Sequence, residues 1–116
     1  MTPTHPTDPD CLFCKIIAGQ IPSTKRYESE HAFAFDDIHP KSKTHVLICP
    51  KGHYPTLLES PAGILAQLMD EVKVIARELG FDERGFRLIV NNGPESGQIV
   101  DHLHIHFLAG QQQHGF

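Results

Sequence analysis

Apolar residues recur along the chain at two different periods, and the changes of period divide it into helices and strands. Ile64, Leu65, Leu68, Met69, Val72, Ile75, Ala76 and Leu79 follow the 3.6-residue repeat of a helix, with Asp70, Glu71, Lys73, Arg77 and Glu78 expected on the solvent face. Ser60 is the expected N-cap, Pro61 the first helical residue and Gly80 the stop. A shorter stretch, Cys11 to Ala18, carries Leu12, Phe13, Ile16 and Ile17 near helical spacing and predicts one short helix before Gly19. Elsewhere the period falls to two. Residues 25–28 and 31–35, separated by a turn at Glu28, Ser29 and Glu30, predict an antiparallel pair, and the β-branched, apolar run from Thr44 to Cys49 predicts a central strand closed by Pro50 and Gly52. Phe86 to Val90 predicts another. Residues 102–108, HLHIHFL, then place His102, His104 and His106 on one face of a strand and Leu103, Ile105 and Phe107 on the other. Runs of strands around one long helix favour an α+β fold, an antiparallel sheet with its helices on one face.

Composition narrows the picture without changing it. A chain of 116 residues suits one domain, with residues 1–10, MTPTHPTDPD, as a flexible lead-in and residues 11–116 as the folded unit. No apolar run approaches a membrane span, and a formal net charge of -4 argues against extended nucleic-acid binding. Three cysteines, an odd number without a secretory signal, point to a reducing compartment, the cytoplasm by default. Cys49, inside HVLIC, is expected to be a small buried hydrophobe.

The chemistry concentrates in the histidine row and a cysteine pair. An alternating histidine row can be a surface cluster or part of a tag, but large apolar residues interleave this one and require burial in a sheet. Imidazoles there can act as nucleophile, acid, base or metal ligand. Cys11-x-x-Cys14 has the spacing of zinc ligands, of a redox pair, or of plain helix residues; a tetrahedral zinc site needs two more ligands, and without a second cysteine pair histidines must supply them. The loop from Asn91 to Gln98, NNGPESGQ, is either a turn or a place where Gly93 and Gly97 let backbone amides approach a phosphate. His5, His31, His39, His45 and His114 are assigned no role.

HLHIHFL also fits the pattern His-φ-His-φ-His-φ-φ, with φ apolar, that names the histidine triad superfamily of nucleotide hydrolases and transferases. Three longer stretches, CLFCKIIAGQIPS, FAFDDIHPKSKTHVLICPKGH and FRLIVNNGPESGQIVDHLHIHFLAG, resemble its Hint branch from about Cys11 to Gly110. The resemblance implies a five-stranded antiparallel sheet with two helices. It implies that His104 attacks the α-phosphorus of a purine nucleotide to form a nucleotidyl-histidine that water then hydrolyses, with His106 on the phosphate oxygens. Asn91, Gly97 and Gln98 would contact phosphate or leaving group, and Phe35, Asp37 and Ile38 would wall the nucleoside, Asp37 taking the ribose hydroxyls; otherwise Phe35 and Ile38 are core and Asp37 a turn cap. As in several bacterial members, Cys11, Cys14, His53 and His102 would hold a structural zinc. The resemblance further implies a homodimer paired through the long helix and a strand, acting on purine nucleoside phosphoramidates such as adenylate amides. A dinucleoside polyphosphate hydrolase and a non-enzymatic zinc- and nucleotide-binding interaction protein are the alternatives. Two departures stand out: Ile99 occupies a position where many Hint proteins carry a serine that assists the leaving amine, with water, Gln98 or another donor as substitutes, and the tail QQQHGF lacks a terminal tryptophan.

Overall fold

The computed structural model describes residues 5–115. Helix α1 (Leu12–Ile17) is followed by strands β1 (Lys25–Glu28), β2 (Ala32–Asp36) and β3 (Thr44–Pro50), helix α2 (Ala62–Glu78), and strands β4 (Arg87–Ile89) and β5 (Ile105–Ala109). The strands form one sheet in the order β1-β2-β3-β5-β4, and every neighbouring pair is antiparallel. This is the five-stranded α+β architecture the pattern predicts. No described helix is long and apolar enough to cross a membrane.

The helices do not share a face, contrary to the expectation. α2 lays Leu68, Val72, Ile75 and Ala76 against Ala32, Ala34, Val46, Ile48, Ile105 and Phe107, while α1 lays Phe13 and Ile16 against Phe33, Phe35, Leu47 and Cys49 on the opposite side. The reason lies in β2 and β3, which are apolar at successive positions and so present two faces that must both be covered. Ile105 and Phe107 point to α2, whereas His104 packs against Phe13 of α1 and His106, between the two apolar residues, turns to the same side as His104.

Three local features depart from the sequence pattern. Pro61 itself is the N-cap of α2, with ψ 146°, while Ser60 closes a short 3-10 turn at Leu57–Glu59 by donating its hydroxyl to Leu57 O at 3.0 Å. Glu71, expected on the solvent face, is buried, because its carboxylate accepts hydrogen bonds from the Tyr27 hydroxyl, from Ser29 Oγ at 2.8 Å and from Gln67 Nε2 at 3.1 Å. A buried carboxylate persists when its lone pairs are this fully used, and here they tie α2 to the β1–β2 turn. The same carboxylate pushes the Tyr27 hydroxyl up to about 12. Finally, β5 begins at Ile105, so His102 to His104 lie before the ladder. Pro50 on β3 has no N–H to offer that stretch, and Leu103 N–H instead donates to Tyr54 O at 2.7 Å.

Candidate active site and metal-ligand cluster

His102 and His104 meet Phe13 of α1, and the hydrogen-bond partner of each imidazole in the row decides which of its nitrogens carries the proton. His104 Nδ1 lies 2.7 Å from His102 O. A carbonyl only accepts, so Nδ1 carries the proton and Nε2 keeps its lone pair. Burial, outweighing the His102 carbonyl and the Asp37 charge, holds the His104 imidazolium below its ordinary range, and the ring is neutral near pH 7. His102 is ordered the other way around: Nε2 donates to Pro50 O at 2.9 Å and Nδ1 keeps the lone pair. Burial pushes it down to about 4.

His106 is set by a residue to which the sequence reading gave no role. Lys41 N–H donates to His45 Nδ1 at 3.0 Å, which places the His45 proton on Nε2, 2.9 Å from His106 Nδ1. His45 therefore donates to His106, and the proton of neutral His106 sits on Nε2, free for a ligand. Burial is the main cause that takes His106 down to about 4, helped by His104 and His45 and opposed by Asp37. His45 sits opposite Leu108 in the ladder, one diagonal step from His106, a relation that exists only once β3 and β5 are in register.

These rings border a cavity of about 750 Å³ that Phe35, Asp37, Ile38, Asn91, Gly97, His104 and His106 all line. Phe35 is also core, stacked edge-on against Phe13 at 5.3 Å, whereas Ile38 is 84% exposed and belongs to the cavity alone. Phe13, read from sequence only as helix core, packs against the His104 ring at 5.0 Å and lines the cavity too. Asp37 caps a turn through His39 N–H at 2.8 Å and keeps Oδ2 3.5 Å from His45 Nε2. Gln98 differs from the other predicted residues. Its amide is spent inside the loop, accepting from Gly93 N–H at 2.7 Å and donating to Pro55 O at 2.7 Å and Val100 O at 3.1 Å, so it has no donor left for a leaving group. Gly97 N–H likewise goes to Pro94 O at 3.1 Å. The Gly93 and Gly97 amides thus close the turn instead of cradling a phosphate; Gly97 is needed for its φ of 95°.

Behind the row, Cys11, Cys14, His53 and His102 bring four ligand atoms within 4.8 Å of one another. Cys11 Sγ is 3.5 Å from His102 Nδ1, and Cys14 Sγ is 3.5 Å from His53 Nδ1 and 3.6 Å from His102 Nδ1. Tetrahedral bonds of about 2.0–2.3 Å put neighbouring donor atoms roughly 3.3–3.8 Å apart, so the set fits a metal ion. Both sulfurs sit at the start of α1, where Cys11 is the N-cap and its Sγ accepts from Cys14 N–H at 3.4 Å. The segment before α1 closes over the cluster: Pro6 O accepts from His53 N–H, and Asp8 O accepts from Cys11 N–H.

Comparison with known proteins bears on both sites. A histidine triad protein from Clostridium difficile of known structure superposes with a TM-score of 0.90 at 43% identity, covering 95% of this chain and 98% of that one. An adenylylsulfatase of Arabidopsis thaliana is 41% identical over 90% of this chain and 54% of its own length. An adenosine 5'-monophosphoramidase of Candida albicans is 39% identical over 89% of this chain and 72% of its own. The HIT domain model matches residues 18–113, which contain the whole imidazole row, and the chain belongs to the HIT family.

Proposed function

We propose that this chain hydrolyses purine nucleoside phosphoramidates and related adenylate conjugates at the α-phosphorus through a nucleotidyl-His104 intermediate. The observation that carries the proposal is the His104 Nδ1 to His102 O hydrogen bond, which leaves an unprotonated Nε2 on a neutral ring beside the cavity. In the first step the Nε2–phosphorus bond forms while the bond to the leaving nitrogen breaks, and that nitrogen keeps the electron pair and takes a proton from solvent. In the second, water oxygen attacks phosphorus, the phosphorus–Nε2 bond breaks, and the water's proton is lost as the nucleoside monophosphate leaves. His106 Nε2–H donates to the phosphate oxygens as their charge grows. Asp37 takes the ribose hydroxyls through lone pairs left free by His39, with Phe35 and Ile38 along the base. Steady-state rates on adenosine phosphoramidate and on a dinucleoside polyphosphate test the class. Faster turnover of the amide is expected, and turnover of the dinucleotide alone would replace this reading with that of a polyphosphate hydrolase.

His45 acts in this scheme as a positioning residue, through His106. His45→Ala frees His106 to place its proton on either nitrogen and should lower kcat by about 100-fold with little change in KM, comparable to losing one oxyanion donor. A rise in KM with kcat intact would contradict that role.

Zinc is the ion proposed for the Cys11, Cys14, His53 and His102 set, since two thiolates and two imidazoles in a closed tetrahedron suit it. It would supply cross-linking, joining α1 to the segments that carry His53 and His102, and no step of the chemistry. The homodimer belongs to the same proposal. Met69 and Val74 on α2, with Phe86 and Val90 flanking the edge strand β4, leave exposed apolar surface that a second copy can cover. Sedimentation equilibrium should return twice the chain mass, and the single-chain mass at micromolar concentration would remove the dimer.

A further inference from the structure

The hydrogen bonds of the site leave the phosphoryl position short of positive charge. Burial holds His45, His104 and His106 below their ordinary range, so near pH 7 these rings offer a lone pair or an N–H but no charge. The Gly97 amide and the Gln98 side chain are spent within their own loop. Asp36 and Asp37 line the same cavity and repel an anion, and Lys41 is the one Lys or Arg side chain among the described residues that line it. Asp36 already holds Arg26 at 2.9 Å, and no ion pair among the described residues uses the Lys41 ammonium.

The backbone around Lys41, in contrast, is held at each step. Lys41 N–H donates to His45 Nδ1 at 3.0 Å, the buried Ser42 hydroxyl donates to Ala109 O at 2.9 Å, and Lys43 N–H donates to Gln111 Oε1 at 2.8 Å. An exposed lysine is ordinarily a surface charge and no more. This one springs from fixed backbone two hydrogen bonds from His106, because His45 links the two. Its charge also reaches both rings: after burial, Lys41 is among the causes that disfavour their protonation, against the opposing pull of Asp37.

We propose that Lys41 is a further catalytic residue, whose ammonium binds a nonbridging oxygen of the α-phosphate beside His106 and balances the charge that grows there as the Nε2–phosphorus bond forms. The inference rests on the hydrolase reading above, and the bonds made and broken are those already given. A compact ammonium on a flexible stem suits the task, since it follows the oxygen from substrate to intermediate. A nucleotide that fills the cavity also displaces the water that otherwise screens this charge. Lys41 thus serves one phosphate by two routes, directly through its side chain and, through its main-chain N–H, by way of His45 and His106.

The test compares wild type, Lys41→Met and Lys41→Arg in turnover of adenosine phosphoramidate and in binding of AMP and of adenosine. Both variants keep the main-chain N–H on His45, so the side chain alone is probed. Lys41→Met should lower kcat by about 30-fold and AMP affinity by about fivefold, less than the loss of a buried oxyanion donor because the ammonium is partly solvated. Adenosine affinity should not change. Lys41→Arg, which keeps the charge, should stay within about threefold of the wild type in kcat. An unchanged kcat in Lys41→Met, an equal loss of AMP and adenosine affinity, or a Lys41→Arg variant as slow as Lys41→Met would each overturn the assignment while leaving the hydrolase reading intact. Absence of amide turnover in wild-type protein that binds AMP would overturn both.

Discussion

His104→Ala is expected to lose at least about 10⁴-fold in kcat/KM on an adenylate amide while binding AMP about as well as the wild type. The loss is large because the residue supplies the bond that divides one slow hydrolysis into two faster steps, and the neighbouring groups cannot take over. His106 has its Nδ1 lone pair occupied by His45 and offers only a proton, and the His102 lone pair faces sulfur. Neither ring can turn its lone-pair nitrogen to the substrate without breaking a bond to Pro50 O or His45. His104→Gln, which keeps a polar side chain of similar reach, should fare no better. Stopped-flow or steady-state rates on the variants, with AMP affinity as the folding control, decide the matter; a loss below about tenfold would show that His104 is not the nucleophile.

Stripping zinc from the proposed Cys11, Cys14, His53 and His102 site is the second large effect expected. The Cys11 and Cys14 sulfurs face His102 and His53, and α1 in turn packs Phe13 edge-on with the His104 ring. Without an ion, the two buried or half-buried thiols and the imidazoles of His53 and His102 face one another with side-chain contacts no closer than 3.5 Å. Structural zinc contributes folding free energy directly, and a loss of about 3 kcal/mol or more, which is roughly 10 °C in Tm for a domain of this size, is the expected result of stripping it. Cys11→Ser with Cys14→Ser should show the same drop, and chelator should then have no further effect. Metal analysis accompanies the melting curves: protein that contains less than about half an equivalent of zinc per chain and melts unchanged in chelator would exclude the structural role.

The sequence made some parts of this arrangement readable and hid others for identifiable reasons. Period-two alternation in HLHIHFL correctly separates Ile105 and Phe107, which meet α2, from His104 and His106, which face α1. Local periodicity also locates all five strands and both helices to within a few residues. It does not say which face a helix covers, and α1 went to the far side because β2 and β3 are apolar on both. His45 looked like an unremarkable strand-start residue because its meaning lies in the β3–β5 register, over 60 residues of chain from His106. Its signal was present only in the alternation of THVLI, which sets His45 and Leu47 on one face. Glu71 sat in a run of charged helix positions, and nothing local announces that Tyr27 and Ser29 will reach it. In the glycine loop, where the sequence leaves a turn and a phosphate approach both open, the Gly93 and Gly97 amides are bonded within the loop itself.

The most direct test of the central claim is to trap the intermediate. Wild-type protein mixed with adenylate amide carrying a labelled α-phosphorus and quenched rapidly in base should retain label on a peptide spanning His102 to His106, because a phosphorus–imidazole bond survives base and is lost in acid. The account predicts label on His104, absent in His104→Ala and longer-lived in His45→Ala. Label on His106, or turnover at the wild-type rate with no labelled peptide under conditions that trap a control phosphohistidine, would contradict it.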